Sequence, residues 1–365
     1  MFIHEMQRWP DFTWDGKQIA VKLGEVRYRQ GKILGQMQVL GFEIREETML
    51  NTLTLDVLKS NEIEGKILNA AQVRSSVAIR LGIDIAGAVK TDRELDGVVE
   101  MMLDATQDYH TPLTLARLFG WHGALFPKGW SGWKEIKVAE WRDSSMEVVS
   151  GAMGKEIIHF TAPDAKLVPA EMKRFLNWLN DSQPIDDVIK AAIAHLWFVT
   201  IHPFDDGNGR IARAIGDLQL AKADKSKQRF YSMSAQIQKE RNAYYHILEH
   251  TQKGNLDITE WLEWFLNCLD RSMEHTEQTI IKILKRNYFW EAHRDLEFNL
   301  RQKKMLQVLL DNFFGKLSVS KWALMTKTST DTALRDIQGL LKMDILKQDG
   351  AGRNISYQLK EHQKY

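Results

Sequence analysis

The chain has 365 residues, enough for two or three domains with cores of their own, and its 44% hydrophobic and 27% charged content is that of an ordinary globular protein. A formal net charge of +1 marks neither a nucleic-acid magnet nor an acidic tail. The single cysteine, Cys268, excludes an intrachain disulfide and a cysteine zinc cluster, and the most apolar run, Ala191 to Ile201, is far too short to cross a bilayer.

The first thirty residues mix Trp, Asp, Glu, Lys and Arg, unlike a secretory leader, so a cytoplasmic protein is expected. Residues 1–95 carry Trp9-Pro10, Trp14 and Leu40-Gly41-Phe42, aromatics suited to a helical core. Within them Leu53, Val57, Ser60 and Glu64 recur at spacings of four, three and four, which puts them on one helical stripe. Glu64 therefore points toward the body of the protein, where an ionised carboxylate needs a cation. Gly65 suits the end of that helix.

Glu147–Ser150 and Glu156–Phe160 flank Gly151-Ala152-Met153-Gly154-Lys155 and read as a β-hairpin, a short excursion in a mainly α chain. Apolar periodicity predicts helices over Ala170–Asn180 and Thr259–Leu269. All seven prolines lie at or before Pro203, so long helices are favoured beyond it. From Arg301 a helix around Met305 and Leu309, a second to Met325, a third over Asp331–Met343 and a hairpin through Ile345–Lys347 and Ile355–Tyr357 give the order of a winged helix-turn-helix. This tail holds twelve Lys/Arg against six Asp/Glu. Arg335 and Lys342 on the third helix would permit DNA contact, whereas Asp331, Asp336 and Asp344 oppose a phosphate backbone and favour protein contact.

The most informative stretch is His202-Pro203-Phe204-Asp205-Asp206-Gly207-Asn208-Gly209-Arg210-Ile211-Ala212-Arg213. His202 is a proton acceptor near neutral pH, placed where Pro203 stops a helix. Gly207-Asn208-Gly209 lets successive amides face one concavity at the positive end of the next helix, a cradle for phosphate. Arg210 and Arg213 share a face of that helix, and Asp206 is a hard oxygen ligand for Mg²⁺.

This string resembles the core motif of the Fic family, H-P-F-x-[D/E]-G-N-[G/K]-R-x-x-R, at every defined position. The resemblance implies a Fic-type helical core over residues 96–290, between the N-terminal domain (1–95) and a winged-helix domain (291–365). It implies transfer of AMP from ATP to Ser, Thr or Tyr hydroxyls of target proteins and of the chain itself. His202 is then the general base and Asp206 the Mg²⁺ ligand. Gly207, Asn208, Gly209, Arg210, Ile211, Ala212 and Arg213 bind ATP, with Asn208 and Arg210 on the α- and β-phosphates and Arg213 on the γ-phosphate. The hairpin looks like the family's flap, which adds a target segment as a strand. Tyr244, Tyr245, Leu248 and Gln252 match the adenine wall, although Gln252 stands where relatives carry Asn.

Ser60-Asn61-Glu62-Ile63-Glu64-Gly65 also resembles the Fic inhibitory motif, [S/T]-x-x-x-E-[G/N]. By that resemblance Ser60, Glu64 and Gly65 form a brake in which Glu64 pairs with Arg213, and the same Glu64 orients a water in relatives that remove AMP. A homodimer is also implied. Two alternatives stay open: transfer of UMP, phosphocholine or phosphate, and a DNA-binding regulator with nucleotide as effector. No membrane partner is expected, and the target protein is not readable.

Overall fold

Asp15 accepts hydrogen bonds from the amides of Lys17 and Gln18 and starts α1 (Gly16–Gln38), whose Ile19, Val26, Ile33 and Met37 are buried along one side. The structure is a computed structural model. It describes residues 1–365 apart from 86, 151–156, 183, 311–312, 314–315, 351–354, 361–365 and the side chain of His275. Fourteen α-helices and six short strands are present among the described residues, in two units, Met1–Thr276 and Glu277–Tyr365. The chain is mainly α, as its periodicity predicts.

In the first unit α1 is followed by α2 (Phe42–Ile63), α3 (Ala70–Leu81), α4 (Arg93–Gln107) and α5 (Leu115–Leu125). The strands β1 (Trp130–Ser131) and β2 (Lys134–Glu135) pair antiparallel, as do β3 (Glu147–Ser150) and β4 (Ile157–Thr161). The latter pair forms the two arms of the expected hairpin, and the turn proposed over 151–155 lies outside the described residues. Then come α6 (Val168–Asn180), α7 (Asp187–Ile201), α8 (Asn208–Asp224), α9 (Met233–Lys239) and α10 (Arg241–Lys253), and α11 (Thr259–Ala292) begins here and continues past Thr276 into the second unit.

The centre of this unit is the α7–α8 pair. Every residue from Val188 to Ile201 is buried, so α7 is enclosed on all sides. α8 is nearly as enclosed, with Arg210 through Ala221 buried. The motif loop joins these two helices, and α2 reaches it by packing on α3, α8 and α9.

In the second unit α12 (Leu300–Leu310), α13 (Val319–Thr326) and α14 (Thr330–Lys342) precede the antiparallel strands β5 (Leu346–Asp349) and β6 (Ser356–Leu359). Ser318 and Ser329 cap α13 and α14 through the amides of Lys321 and Thr332. Met305, Trp322, Ile337, Leu340 and Tyr357 meet in its core. Asp336, counted above as opposing phosphate from the surface of the third helix, is instead buried. It takes Arg301 Nε at 2.7 Å and Asn299 Nδ2 at 2.8 Å. Its charge is consumed inside the unit, so that part of the case against DNA contact falls away.

Gly97 on α4 marks a tight crossing, because a Cβ there would run into the backbone carbonyl of Ala124 on α5. A backbone group cannot step aside as a side-chain tip can, so Gly97→Ala is expected to destabilise the first unit by about 1–3 kcal/mol. Urea unfolding of the two proteins checks this; an unchanged midpoint would show that the crossing is slack.

Candidate active site

His202 ends α7 in the left-handed conformation, at φ 52° and ψ 58°. For a residue with a Cβ that conformation is uphill by about 1–2 kcal/mol and needs outside support. Arg142, fully enclosed, supplies it: Nε donates to the His202 carbonyl at 2.8 Å, and its own amide donates to Pro203 O at 3.0 Å. The same guanidinium holds Ser144 O and Pro163 O, just outside the two ends of the β3–β4 hairpin. One side chain thus ties the flap to the motif loop.

His202 Nδ1 lies 3.0 Å from Val199 O. A carbonyl can only accept, so Nδ1 carries the proton and Nε2 presents a lone pair. Burial lowers the pKa of this imidazole, which keeps it neutral and ready to accept.

Next along the loop, Asp206 Oδ1 takes the Gly207 amide at 2.5 Å and Oδ2 takes the Ser131 hydroxyl. Although burial opposes the charge, these bonds and Arg210 hold its carboxyl below the ordinary range, so it is ionised. His122 donates from Nε2 to Asp206 O at 3.2 Å and accepts the Ala139 amide on Nδ1 at 3.1 Å. That ring must stay neutral to do both, and burial pushes its pKa down to about 4. Gly207 adopts φ 85°, and the Phe126 ring occupies the space a Cβ would need. Asn208 spans the loop, accepting the Phe204 amide at 3.0 Å and donating to Phe204 O at 2.8 Å. Its amide head therefore shapes the loop here. The first-turn amides of α8 remain without helical acceptors.

Arg213 is buried and turned toward α2. Its Nε donates to Ser60 Oγ at 2.9 Å, and one terminal nitrogen donates to Ser60 O and to Glu64 Oε1, each at 2.8 Å. Glu64 is the C-cap of α2 and its side chain is 32% exposed, so it stands at the edge of the protein body rather than within it. A Cβ at Gly209 would collide with Oε1, so glycine there lets the carboxylate lie across the start of α8. Gly65 turns the chain away at φ 76°.

A cleft of about 690 Å³ opens over this loop. His202, Asp206, Gly207, Asn208 and Gly209 form its floor, and Glu64 one side. Tyr244, Tyr245, Leu248 and Gln252 of α10 form another, and β3 and β4 a third. Tyr244 bonds His195 Nε2 through its hydroxyl at 2.8 Å, and Gln252 Nε2 donates to Thr200 Oγ1 at 3.2 Å. Tyr245 presents its ring beneath the Arg241 guanidinium, 5.3 Å from the centroid. Ser60, Gly65, Arg210, Ile211, Ala212 and Arg213 are not in the lining of this cleft. Ile211 and Ala212 bury their side chains in the core and offer only backbone.

Sequence reading missed Arg142, Ser131 and His122, each of which supports the loop from a distant segment and carries no local pattern. It also missed a relay across the flap: Ser150 Oγ meets His159 Nε2 at 2.6 Å, and His159 Nδ1 meets Glu249 Oε2 at 2.7 Å. No local pattern marks His159, and nothing in the sequence links it to α10.

Residues 112–220 match the Fic/DOC family, and residues 2–83 match a domain of unknown function, DUF4172. The chain is 26% identical over 224 residues to a probable protein adenylyltransferase of Aquifex aeolicus, covering 58% of this chain and 67% of that one. It is 34% identical over 105 residues to the protein adenylyltransferase Fic of Drosophila yakuba, spanning 20% of that protein's length. Against the Drosophila grimshawi Fic it is 27% identical over 220 residues and spans 40% of its length. A crystal structure of a Fic family protein from Desulfovibrio desulfuricans shares the fold over 98% of this chain and 99% of that one, with a TM-score of 0.56 at 20% identity. Fic-1 of C. elegans does so over 73% of this chain and 74% of that one, with a TM-score of 0.51 at 21% identity. Residues 112–220, which include the motif loop, thus resemble the Fic/DOC family.

Below Arg213, α2 and α8 meet through two buried carboxylates, Asp56 and Asp217. Arg229 donates to Asp217 Oδ1 at 2.8 Å, while Asp56 Oδ1 takes Ser232 Oγ at 2.6 Å and the Ser234 amide at 3.2 Å. Burial raises both pKa values. Asp56 adds to the rise at Asp217, which Arg229 opposes without cancelling, and Asp217 is pushed up to about 7 from 3.8. The folded chain thus keeps a proton that the unfolded chain releases near 3.8, so this contribution to stability is full below that pH and is lost as pH rises toward 7. Relative to Asp217→Asn, the wild type is expected to lose stability from about pH 4 to about pH 7, at up to about 1.4 kcal/mol per unit. Urea unfolding at stepped pH measures the difference, and parallel profiles would exclude a proton retained on Asp217.

Proposed function

We propose that this protein transfers AMP from ATP to a protein Ser, Thr or Tyr hydroxyl, its own included. The observation that carries the reading is His202: Nδ1 tied to Val199 O, with the free Nε2 beside a cleft floored by Asp206 and the Gly207–Gly209 amides. Nε2 takes the hydroxyl proton as the oxygen bonds to the α-phosphorus. The bond to the β-phosphate oxygen breaks, and pyrophosphate leaves. The loop amides and the positive end of α8 stabilise the charge that develops on the phosphoryl oxygens.

Asp206 suits Mg²⁺. It is ionised, it lines the cleft, and each of its oxygens keeps lone pairs beyond its one bond. Among the described residues no three His, Cys, Asp or Glu side chains cluster around a point. That fits an ion held by one carboxylate plus substrate phosphates. Such an ion would neutralise charge on the transferring phosphate.

Glu64 is the brake in this reading: its hold on Arg213 removes a guanidinium from the γ-phosphate and leaves the α-phosphate misaligned. A second activity has its own support. Glu64 Oε1 is bonded to Arg213, but Oε2 has no partner among the described residues and the side chain borders the cleft. That oxygen is free to orient a water for removing AMP from a modified protein. For residues 300–359, the helix order, the exposed Arg335 and Lys342 and the enclosed Asp336 support a winged-helix docking module.

Glu64→Gly is expected to raise self-labelling from α-labelled ATP about tenfold or more, the worth of one charge-assisted hydrogen bond freed for substrate. Adding His202→Ala should lower it by about 10²–10⁴-fold. Because burial lowers the His202 pKa, the acid limb of the rate profile should lie below 6.5, the ordinary imidazole value. Labelling of Glu64→Gly no faster than wild type would remove the brake, and labelling that survives His202→Ala would remove the base.

A further inference from the structure

Arg210 is 2% exposed, yet it makes no hydrogen bond or ion pair among the described residues, and its Nε is sealed without an acceptor. Its guanidinium sits 4.9 Å from the centroid of Phe126. The Lys66 ammonium, also without a hydrogen bond, sits 5.4 Å from the same centroid. A ring face attracts each cation only weakly, which does not offset enclosing the Arg210 guanidinium and half-burying the Lys66 ammonium against one ring. Burial and the neighbouring Arg210 lower the pKa of Lys66, as expected of a cation lacking its counterion.

The nearby acids do not fill that role. Asp206 is bonded to Gly207 and Ser131, Glu64 is bonded to Arg213, and Asp92 caps α4 through the Leu95 amide at 2.9 Å. Glu94 is exposed to solvent. Lys66 and Arg210 instead face a cavity of about 320 Å³, walled by the segment between α2 and α3 and by the start of α4. Of its lining residues none also lines the nucleotide cleft. The left-handed turn at Gly65 separates Glu64, bonded to Arg213, from Lys66, whose amide is on Asn61 O at 3.0 Å and which lines the cavity together with Arg210.

We propose that this cavity is a diphosphate subsite in which Lys66 and Arg210 jointly hold a pyrophosphate group. The assignment rests on nucleotidyl transfer for the origin of the group, either the distal phosphates of bound ATP or the pyrophosphate released. It does not rest on that reading for the binding itself. Lys66 is thereby a phosphate ligand supplied by the N-terminal segment, outside the motif.

Isothermal titration of the full wild-type chain with inorganic pyrophosphate should show saturable binding. Lys66→Ala should weaken it about tenfold or more, and Lys66→Arg should retain it. AMP, which has no distal phosphates, should bind wild type and Lys66→Ala within about twofold of each other. A parallel loss for a non-hydrolysable ATP analogue assigns the subsite to the tail of bound nucleotide, whereas a loss confined to pyrophosphate assigns it to the product; both support it. Pyrophosphate bound equally by both proteins, or by neither, overturns the proposal, as does an equal loss of AMP. Lys66-dependent pyrophosphate binding in a chain that transfers no AMP would uphold the subsite and reject the enzymatic reading.

Discussion

A guanidinium enclosed in a protein needs acceptors for its donors, and α8 encloses two such groups. Arg213 and Arg210 lie three residues apart on a helix with almost no exposed surface. The first is answered by Ser60 and Glu64 from α2, and the second has a ring contact to Phe126 but no hydrogen bond or ion pair among the described residues. Leaving a buried guanidinium without a partner costs several kilocalories per mole. A structure tolerates that where a ligand makes good the deficit during function. The site follows from this constraint. The helix start supplies amides, the arginines supply charge, and the N-terminal segment comes to the same place, where Ser60 and Glu64 accept the hydrogen bonds of Arg213.

The motif residues answer to the fold as much as to a substrate. Asn208 closes the loop on Phe204, Asp206 is gripped by Gly207 and Ser131, and the His202 carbonyl is anchored by Arg142. These bonds order the motif loop by themselves, so on the proposed reading binding energy need not be diverted to ordering it. Arg142 is central here. It bonds the carbonyls at both ends of the flap and the one at the left-handed residue, so flap position and imidazole position are not independent.

What the sequence displays and what it hides divide along contact distance. The helices around Phe175 and Phe265 and the order of the C-terminal elements follow from spacing alone, because amphipathic periodicity is a local property. The Glu64–Arg213 approach was legible only because two patterned segments resemble parts of one family, since 149 residues separate the partners. Arg142, His122, Ser131, and the Asp56–Asp217 pair carry no periodic or motif signal. Each matters through a partner remote in sequence, and a lone charged residue reads first as a solvated one. Asp336 shows the reverse error: its position on a helix predicts exposure, and Arg301 from another helix takes it inside.

On the proposed reading, release of Glu64 is limited by how α2 is held. Two turns upstream Asp56 is fixed by Ser232 and Ser234 in a sealed environment, so withdrawing the whole helix would break both hydrogen bonds. The last turn is built differently. Glu64 is a capping residue outside the regular helix, Gly65 already occupies a conformation open mainly to glycine, and Ile67 beyond it is exposed. Unwinding from Asn61 onward would free Arg213 from Glu64 while leaving Asp56 in place. It would also carry Lys66 away from Arg210, since Lys66 is joined to the same turn by the Asn61 carbonyl. The two arginines of α8 are therefore coupled through one short stretch of chain. On the proposed reading, an anion drawn to Lys66 and Arg210 would stabilise the turn that carries Glu64, and pyrophosphate retained there would favour the braked state.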